Sequence, residues 1–302
     1  MDVINREGAE GKMGKLYRVC WIAGMEYRKW LTGKHMLILL FSVLFLGEYV
    51  FSDMLRVAQM AGLRMHFLEP MDLVMSYSFY IMVIPLVVTV ELSGFPDKSA
   101  GNVFVMVRSG RVVWLFGELL FGILVGITCL AVFFAASLAW LWGRAGMYGA
   151  ESSWDSWSLF MTKIYERFPE IYAQNDRVFL ESATMAHGTP AGVALACAGL
   201  LLLYFMVMVQ VLCLFRFLGR QRMGLFFNMG ITVFGAVAVS NLDKAKWLFP
   251  LVHAIFGEHF DHFFAQPIVP LPDSVLYFFL LNGGLLAGNL YLVKRCEIAD
   301  GN

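Results

Sequence analysis

Apolar residues fall along this chain in long unbroken runs separated by polar connections. Six runs qualify as bilayer spans: 36–52, 73–90, 112–142, 190–215, 223–241 and 274–293. A hydrocarbon core about 30 Å thick takes roughly 20 residues of helix. The first two runs sit at the short edge of that range, and 112–142 is long enough to project beyond the bilayer or to tilt. All 23 Lys and Arg lie outside the six runs, as do 21 of the 23 Asp and Glu; Glu48 and Glu118 are the exceptions. The pattern predicts an all-α, polytopic membrane protein of six transmembrane helices, a single domain over 1–302.

The connections carry elements of their own. Residues 16–31 place Leu16, Val19, Cys20, Ala23, Tyr27, Trp30 and Leu31 at helical spacing, with Arg18, Glu26, Arg28 and Lys29 largely opposite. A basic amphipathic helix with Trp and Tyr beside a membrane is expected to lie in the interface. No apolar core of a secretory signal precedes the first span. In the connection 91–111, Gly94 and Pro96 break the second run. Asp97 or Ser99 then caps a short helix to about Val107, and Ser109-Gly110 ends it. Such a helix is either a docking element or a turn held at the headgroups by arginines. The long connection 143–189 spaces Trp154, Trp157, Phe160, Tyr165, Phe168, Tyr172 and Phe179 for short helices over the membrane surface, or for a small lobe. In 242–273, the ten apolar residues 247–256 are too few to span and fit a re-entrant or interfacial half-helix.

Charge then orients the spans. The N-terminal segment, 91–111, 216–222 and the tail together hold fifteen basic and eight acidic residues, whereas 53–72, 143–189 and 242–273 hold eight basic and thirteen acidic. Basic connections stay inside, so both termini are expected in the cytoplasm. The zero formal net charge thus resolves into a positive inside and an acidic outside. With 59% apolar and 15% charged residues, the chain is excluded as an ordinary soluble enzyme, a disordered chain or a nucleic-acid binder.

Candidate chemistry is sparse. There is no phosphate-binding G-x-x-x-x-G-K-[ST] loop, no H-E-x-x-H, no G-x-S-x-G and no dinucleotide-binding G-x-G-x-x-G turn. The five cysteines (Cys20, Cys129, Cys197, Cys213, Cys296) include no C-x-x-C and lie in spans or on the inner side, so neither a disulfide nor a thiolate metal site is indicated. The histidines His253, His259 and His262, beside Glu258 and Asp261, are weak metal-ligand candidates against a plain histidine-rich surface. Glu48 and Glu118 either mark a substrate path or polar helix contact, or reach interfacial water. Gly122-x-x-x-Gly126 and Gly284-x-x-x-Gly288 are spaced for close helix approach, within the chain or between copies.

The lead-in helix, six spans, helix-bearing connection 91–111 and broken stretch before the last span resemble the ABC-2-type transporter permeases. Arg108-Ser-Gly-Arg111-Val-Val-Trp114 at the start of the third span, and Pro272-Asp273-Ser274 before a final span ending Lys294-Arg295, are similar to that family's patterns. The 47-residue connection 143–189 is longer than in the family's minimal members. The resemblance implies the permease subunit of an exporter in the plasma membrane of a bacterial cell, without enzymatic activity or cofactor of its own. ATP and Mg would sit on a separate cytoplasmic ABC ATPase subunit, and a second permease copy or sister permease would complete the pathway among membrane lipids. Residues 97–111, with Asp97, Lys98, Arg108 and Arg111, would couple to the ATPase. An apolar path favours an amphipathic cargo: a peptide, drug or lipid-like molecule. The rivals are a secondary transporter or channel without an ATPase and, more weakly, a metal-dependent intramembrane enzyme.

Overall fold

A computed structural model describes residues 2–33, 35–61, 65–96, 100–142, 148–149, 184, 187–261 and 266–295. Most of the expected surface helices of 143–189, and also Asp97, Lys98 and His262, lie outside the described residues. The described chain is helical apart from its connections, a two-residue parallel pairing of Met65–His66 with Tyr148–Gly149 and an isolated antiparallel bridge between Phe260 and Pro267. Helix α1 spans Asp2–Leu31; α2, His35–Leu46, runs through a π-helical turn, Gly47–Phe51, into α3, Ser52–Ala61. Then come α4 (Glu69–Ser76), α5 (Ser78–Ile81), α6 (Val83–Glu91), α7 (Ala100–Ser109), α8 (Arg111–Trp142), α9 (Pro190–Phe217), α10 (Gln221–Asn241), α11 (Pro250–His253) and α12 (Leu271–Arg295).

Five helical stretches are long and apolar enough to cross a membrane: 35–56, α8, α9, α10 and α12. The second apolar run is not the straight helix expected over 73–90. It is a bent pair, Glu69–Ser76 and Ser78–Glu91, meeting at 94°. Tyr77 is extended (φ −100°, ψ 126°), and Ser76 Oγ donates back to the Asp72 carbonyl at 2.7 Å, a bond that competes with the helix ladder. Pro85 then supplies no amide for the carbonyl one turn earlier, where α5 gives way to α6. The bend carries Glu69 and Asp72, expected in an outer connection, into the bundle, where both are fully buried.

Helix α9 is the centre of the core. Its Val193, Cys197, Leu201, Tyr204, Phe205 and Leu212 are buried against α8, α10 and α12. Phe226, Phe234, Phe279 and Leu280 of α10 and α12 face outward, as suits helices surrounded by hydrocarbon. With lipid outside, close packing and polar contacts hold the helices together. Gln210 Nε2 donates to Asn282 Oδ1 at 2.6 Å, and Asn289 Nδ2 to the Gln210 carbonyl at 3.0 Å, tying α9 to α12. Tyr204 and Thr232 share a hydroxyl bond of 2.7 Å, and Asn228 Nδ2 donates to the Met208 carbonyl at 3.0 Å, tying α9 to α10.

The Gly122/Gly126 pair packs within the chain: a β-carbon on Gly122 would lie 2.5 Å from Val209, and one on Gly126 2.7 Å from Phe205. Gly122→Leu is therefore expected to cost about 1–3 kcal/mol of stability by overpacking. Gly284→Leu, where a β-carbon meets nothing within 4 Å, serves as the comparison. Equal thermal stability of the two variants in detergent would refute the close approach of α8 to α9.

Two ends of the bundle are distinguishable. At one, Arg111 Nη1 donates to the Lys294 carbonyl (3.1 Å), Gln221 Nε2 to the Phe95 carbonyl (3.2 Å), and Trp114 meets Phe217 edge-on. This gathers the connections rich in Lys and Arg and is the basic end. At the other, Trp140 packs over Gly47 and donates to Ser52 Oγ (3.0 Å), and Tyr277 donates to the Leu248 carbonyl (3.0 Å). The stretch 247–256 forms two short pieces there, a 3-10 turn Lys244–Leu248 and α11.

Helix α1 lies along α8, burying Ile22, Ala23, Glu26 and Trp30. That stripe differs from the apolar face expected: Leu16, Cys20 and Leu31 are exposed, and Glu26, expected among the polar residues, is buried. The reason is local fit. Gly117 admits Ile22, whose Cγ2 would lie 2.7 Å from a β-carbon there, and Tyr27 bonds Thr128 at 2.6 Å.

Candidate functional site

At the basic end, α7 stands between the bent pair and α8. Ser109 Oγ bonds the Val105 carbonyl (2.7 Å), and Gly110, at φ +91°, turns the chain directly into α8. A side chain would strain that left-handed backbone. Asn102 is buried, with Lys29 Nζ at 3.5 Å from its Oδ1. The outer face of α7 presents Phe104 (63% exposed), Val107 (59%) and Arg108. Helix α1 brings Tyr17, Arg18 and Trp21 opposite, and a cleft of about 540 Å³ lies between the two helices.

Beside it is a charged junction. Trp30 Nε1 donates to Glu91 Oε2 at 3.1 Å, and His35 Nδ1 lies 3.6 Å from the same oxygen. Lys29 pairs with Glu26 at 2.9 Å. Glu91 thereby links the end of α6 to the end of α1 and the start of α2. A second cavity of about 250 Å³ opens among Glu26, Lys29, Trp30, His35, Glu91 and Phe121.

The residues singled out from the sequence separate. Arg108 lines the cleft, but Arg111 reaches the last turn of α12, where its charge meets the negative end of that helix. Glu48 is exposed on the bundle surface within the π-helical turn, whereas Glu118 is 1% exposed on α8; they share no site. At the opposite end, the Trp247 carbonyl accepts from His253 Nε2 at 2.8 Å, so Nδ1 is the nitrogen that accepts from Ser274 Oγ at 2.7 Å. The ring is neutral and stacks on Tyr277 at 4.0 Å. Burial pushes its pKa down to about 4; the bond to Trp247 opposes that, and His259 adds to it. His259 places Nδ1 at 2.8 Å from the Val269 carbonyl and Nε2 at 3.1 Å from that of His253. Glu258 pairs with Lys246. Both imidazoles are thus occupied by protein contacts, and among the described residues no cluster of three His, Cys, Asp or Glu is placed to hold a metal.

Sequence reasoning missed the buried acids of the bent pair. Neither oxygen of Asp72 has a hydrogen-bond partner among the described residues. The available signal was Glu69-Pro70-Met71-Asp72 immediately before the apolar run; starting the second span at 69 brings both acids inside. Compared with known proteins, the chain matches no family model, no curated protein and no solved structure.

Proposed function

We propose that the chain is the membrane-spanning permease subunit of an ATP-driven ABC exporter in a cell membrane, with both termini on the cytoplasmic side. The observation that carries this reading is α7: a ten-residue helix between the second and third apolar segments, buried at Asn102 and displaying Phe104, Val107 and Arg108. Such a face suits docking to a soluble partner. The chain has no phosphate-binding loop, so ATP and Mg belong to a partner ATPase, and a second copy or sister permease completes the path for an amphipathic cargo. Movement of the ATPase reaches the spans through Gly110 into α8 and through Lys29 and Trp30 into α1 and α6. Replacing 97–111 by a Gly/Ser stretch is expected to remove a stoichiometric ATPase from the chain purified out of native membranes. Retention of that ATPase would refute the docking role.

One observation favours a second reading, a transporter driven without an ATPase. Asp72 is a fully buried carboxylic acid close to Glu69 in the first arm of a bent span, and an ionisable residue inside a membrane marks an ion path by default. That reading predicts transport by the purified chain in ATP-free liposomes, abolished by Asp72→Asn. The exporter reading predicts no transport there.

A further inference from the structure

We propose that the cleft between α1 and α7 binds an anionic glycerophospholipid from the leaflet at the basic end, its phosphate held between Arg18 and Arg108.

Both arginines line the cleft, and neither forms an ion pair among the described residues. Two guanidinium groups lining one cleft favour an anion there, and their planar donor forks match phosphate oxygens. Apart from Ser109, whose hydroxyl is spent on the Val105 carbonyl, the rest of the lining is a different chemistry: Tyr17, Trp21, Ile22, Phe104 and Val105 make mostly apolar walls. Inorganic phosphate leaves those walls unused, and a zwitterionic lipid sets its ammonium charge beside the two arginines. An acyl chain joined to a phosphate uses both. The volume of about 540 Å³ falls within the range of small-molecule sites, about 300–1,000 Å³.

The position agrees with this occupant. Trp21 (52% exposed) and Tyr17 (71%) are the residue types that settle at headgroup level. The same helix carries Arg6 and Lys12 upstream, basic residues of the kind that draw anionic leaflets. A lipid seated here touches α1 and α7 together, so it sets the angle between the lead-in helix and the short helix. The site shares Phe104 and Arg108 with the face of α7 read as a docking surface, but lipid binding needs no ATPase and is measured without one.

The test uses the full chain, delipidated in mild detergent without any ATPase. Binding of phosphatidylglycerol, phosphatidylcholine and inorganic phosphate is followed by native mass spectrometry and by competition. Phosphatidylglycerol is expected to bind about tenfold more tightly than phosphatidylcholine, and Arg18→Gln/Arg108→Gln to erase that preference. The control Lys15→Gln/Arg28→Gln removes the same charge from exposed positions of α1 that do not line the cleft; it should keep the preference within about twofold. Equal loss in the control would reduce the effect to general surface attraction and overturn the site. So would equal binding of phosphatidylcholine, or full displacement by inorganic phosphate. Should the double variant aggregate, the single variants Arg18→Gln and Arg108→Gln are measured instead; each should lose about threefold, and no loss in either refutes the proposal.

Discussion

On the exporter reading, Val107→Glu is expected to reduce the ATPase co-purifying with the chain by more than about tenfold while leaving the chain folded. The size follows from what an exposed apolar residue on a docking helix does. Truncating or charging a central apolar contact in a protein interface costs about 2 kcal/mol or more, equivalent to roughly thirtyfold in affinity. Val107 is 59% exposed and does not line the lipid cleft, so the substitution separates loss of docking from loss of lipid. Folding tolerates it, since exposed substitutions away from special features stay within about 0.5 kcal/mol. Glutamate near the end of a helix adds a small penalty against the helix dipole, about 0.3–1 kcal/mol, and Val107→Gln controls for it. The measurement is ATPase stoichiometry after affinity purification from native membranes, alongside phosphatidylglycerol binding. If α7 is instead a turn resting at the headgroups, ATPase recovery stays unchanged. Loss of ATPase with lipid binding intact supports the exporter reading independently of the cleft.

The parts of this fold that were legible in the sequence are those where one energetic cost outweighs all others. Burying charge in hydrocarbon is costly enough that α8, α9, α10 and α12 fall close to the runs drawn from apolar residues alone. Helix α7 likewise ends at Ser109, because Gly110 carries a positive φ that the Ser-Gly pair announces. What was not legible depends on partners far apart in the chain. No local signal says that Trp140 will close on Gly47, some ninety positions away, where the π-helical turn begins. The buried stripe of α1 is set by Gly117 and Thr128 of another helix, so Ala23 and Trp30 are buried as expected while the stripe shifts to take in Ile22 and Glu26 and to leave Leu16, Cys20 and Leu31 exposed. The bent pair hid for a related reason: hydropathy averages over the break at Tyr77, and Glu69 and Asp72 look like the polar edge of a span until the bend turns them inward. For the site, the sequence named both arginines, and the structure separates them: Arg108 lines the cleft and Arg111 donates to the Lys294 carbonyl. Phe104, Val107, Arg18 and Trp21 needed the structure, since what matters is that α1 and α7 face each other.

The opposite end yields the second large effect, a loss of stability in acid traced to one side chain. His253 lies outside the spans, is 5% exposed, and is held neutral between the Trp247 carbonyl and the Ser274 hydroxyl. Its pKa of about 4 in the folded chain lies below the ordinary 6.5, so between those values the unfolded chain binds the extra proton. Stability from the neutral ring is therefore complete above pH 6.5, falls as pH drops below it, and is gone once pH passes about 4. The gap corresponds to on the order of 3 kcal/mol. Glutamine can keep both hydrogen bonds, with its amide donating to Trp247 and its carbonyl accepting from Ser274, yet it cannot take up a proton. His253→Gln should thus be somewhat less stable than the wild type at pH 7.5, where the stacking on Tyr277 is lost, and should lack this part of the acid dependence. Carboxylates elsewhere are common to both proteins and cancel in the difference. Thermal unfolding in detergent from pH 7.5 to 4 gives the two curves. They should converge or cross as pH falls; a constant separation would mean that His253 charges freely in the folded chain, contrary to the carbonyl and hydroxyl that hold its two nitrogens. Because α11 and the start of α12 meet at this ring, protonation loosens the contact between the short pieces after α10 and the final span, and the end opposite α7 is where acid should first open the bundle.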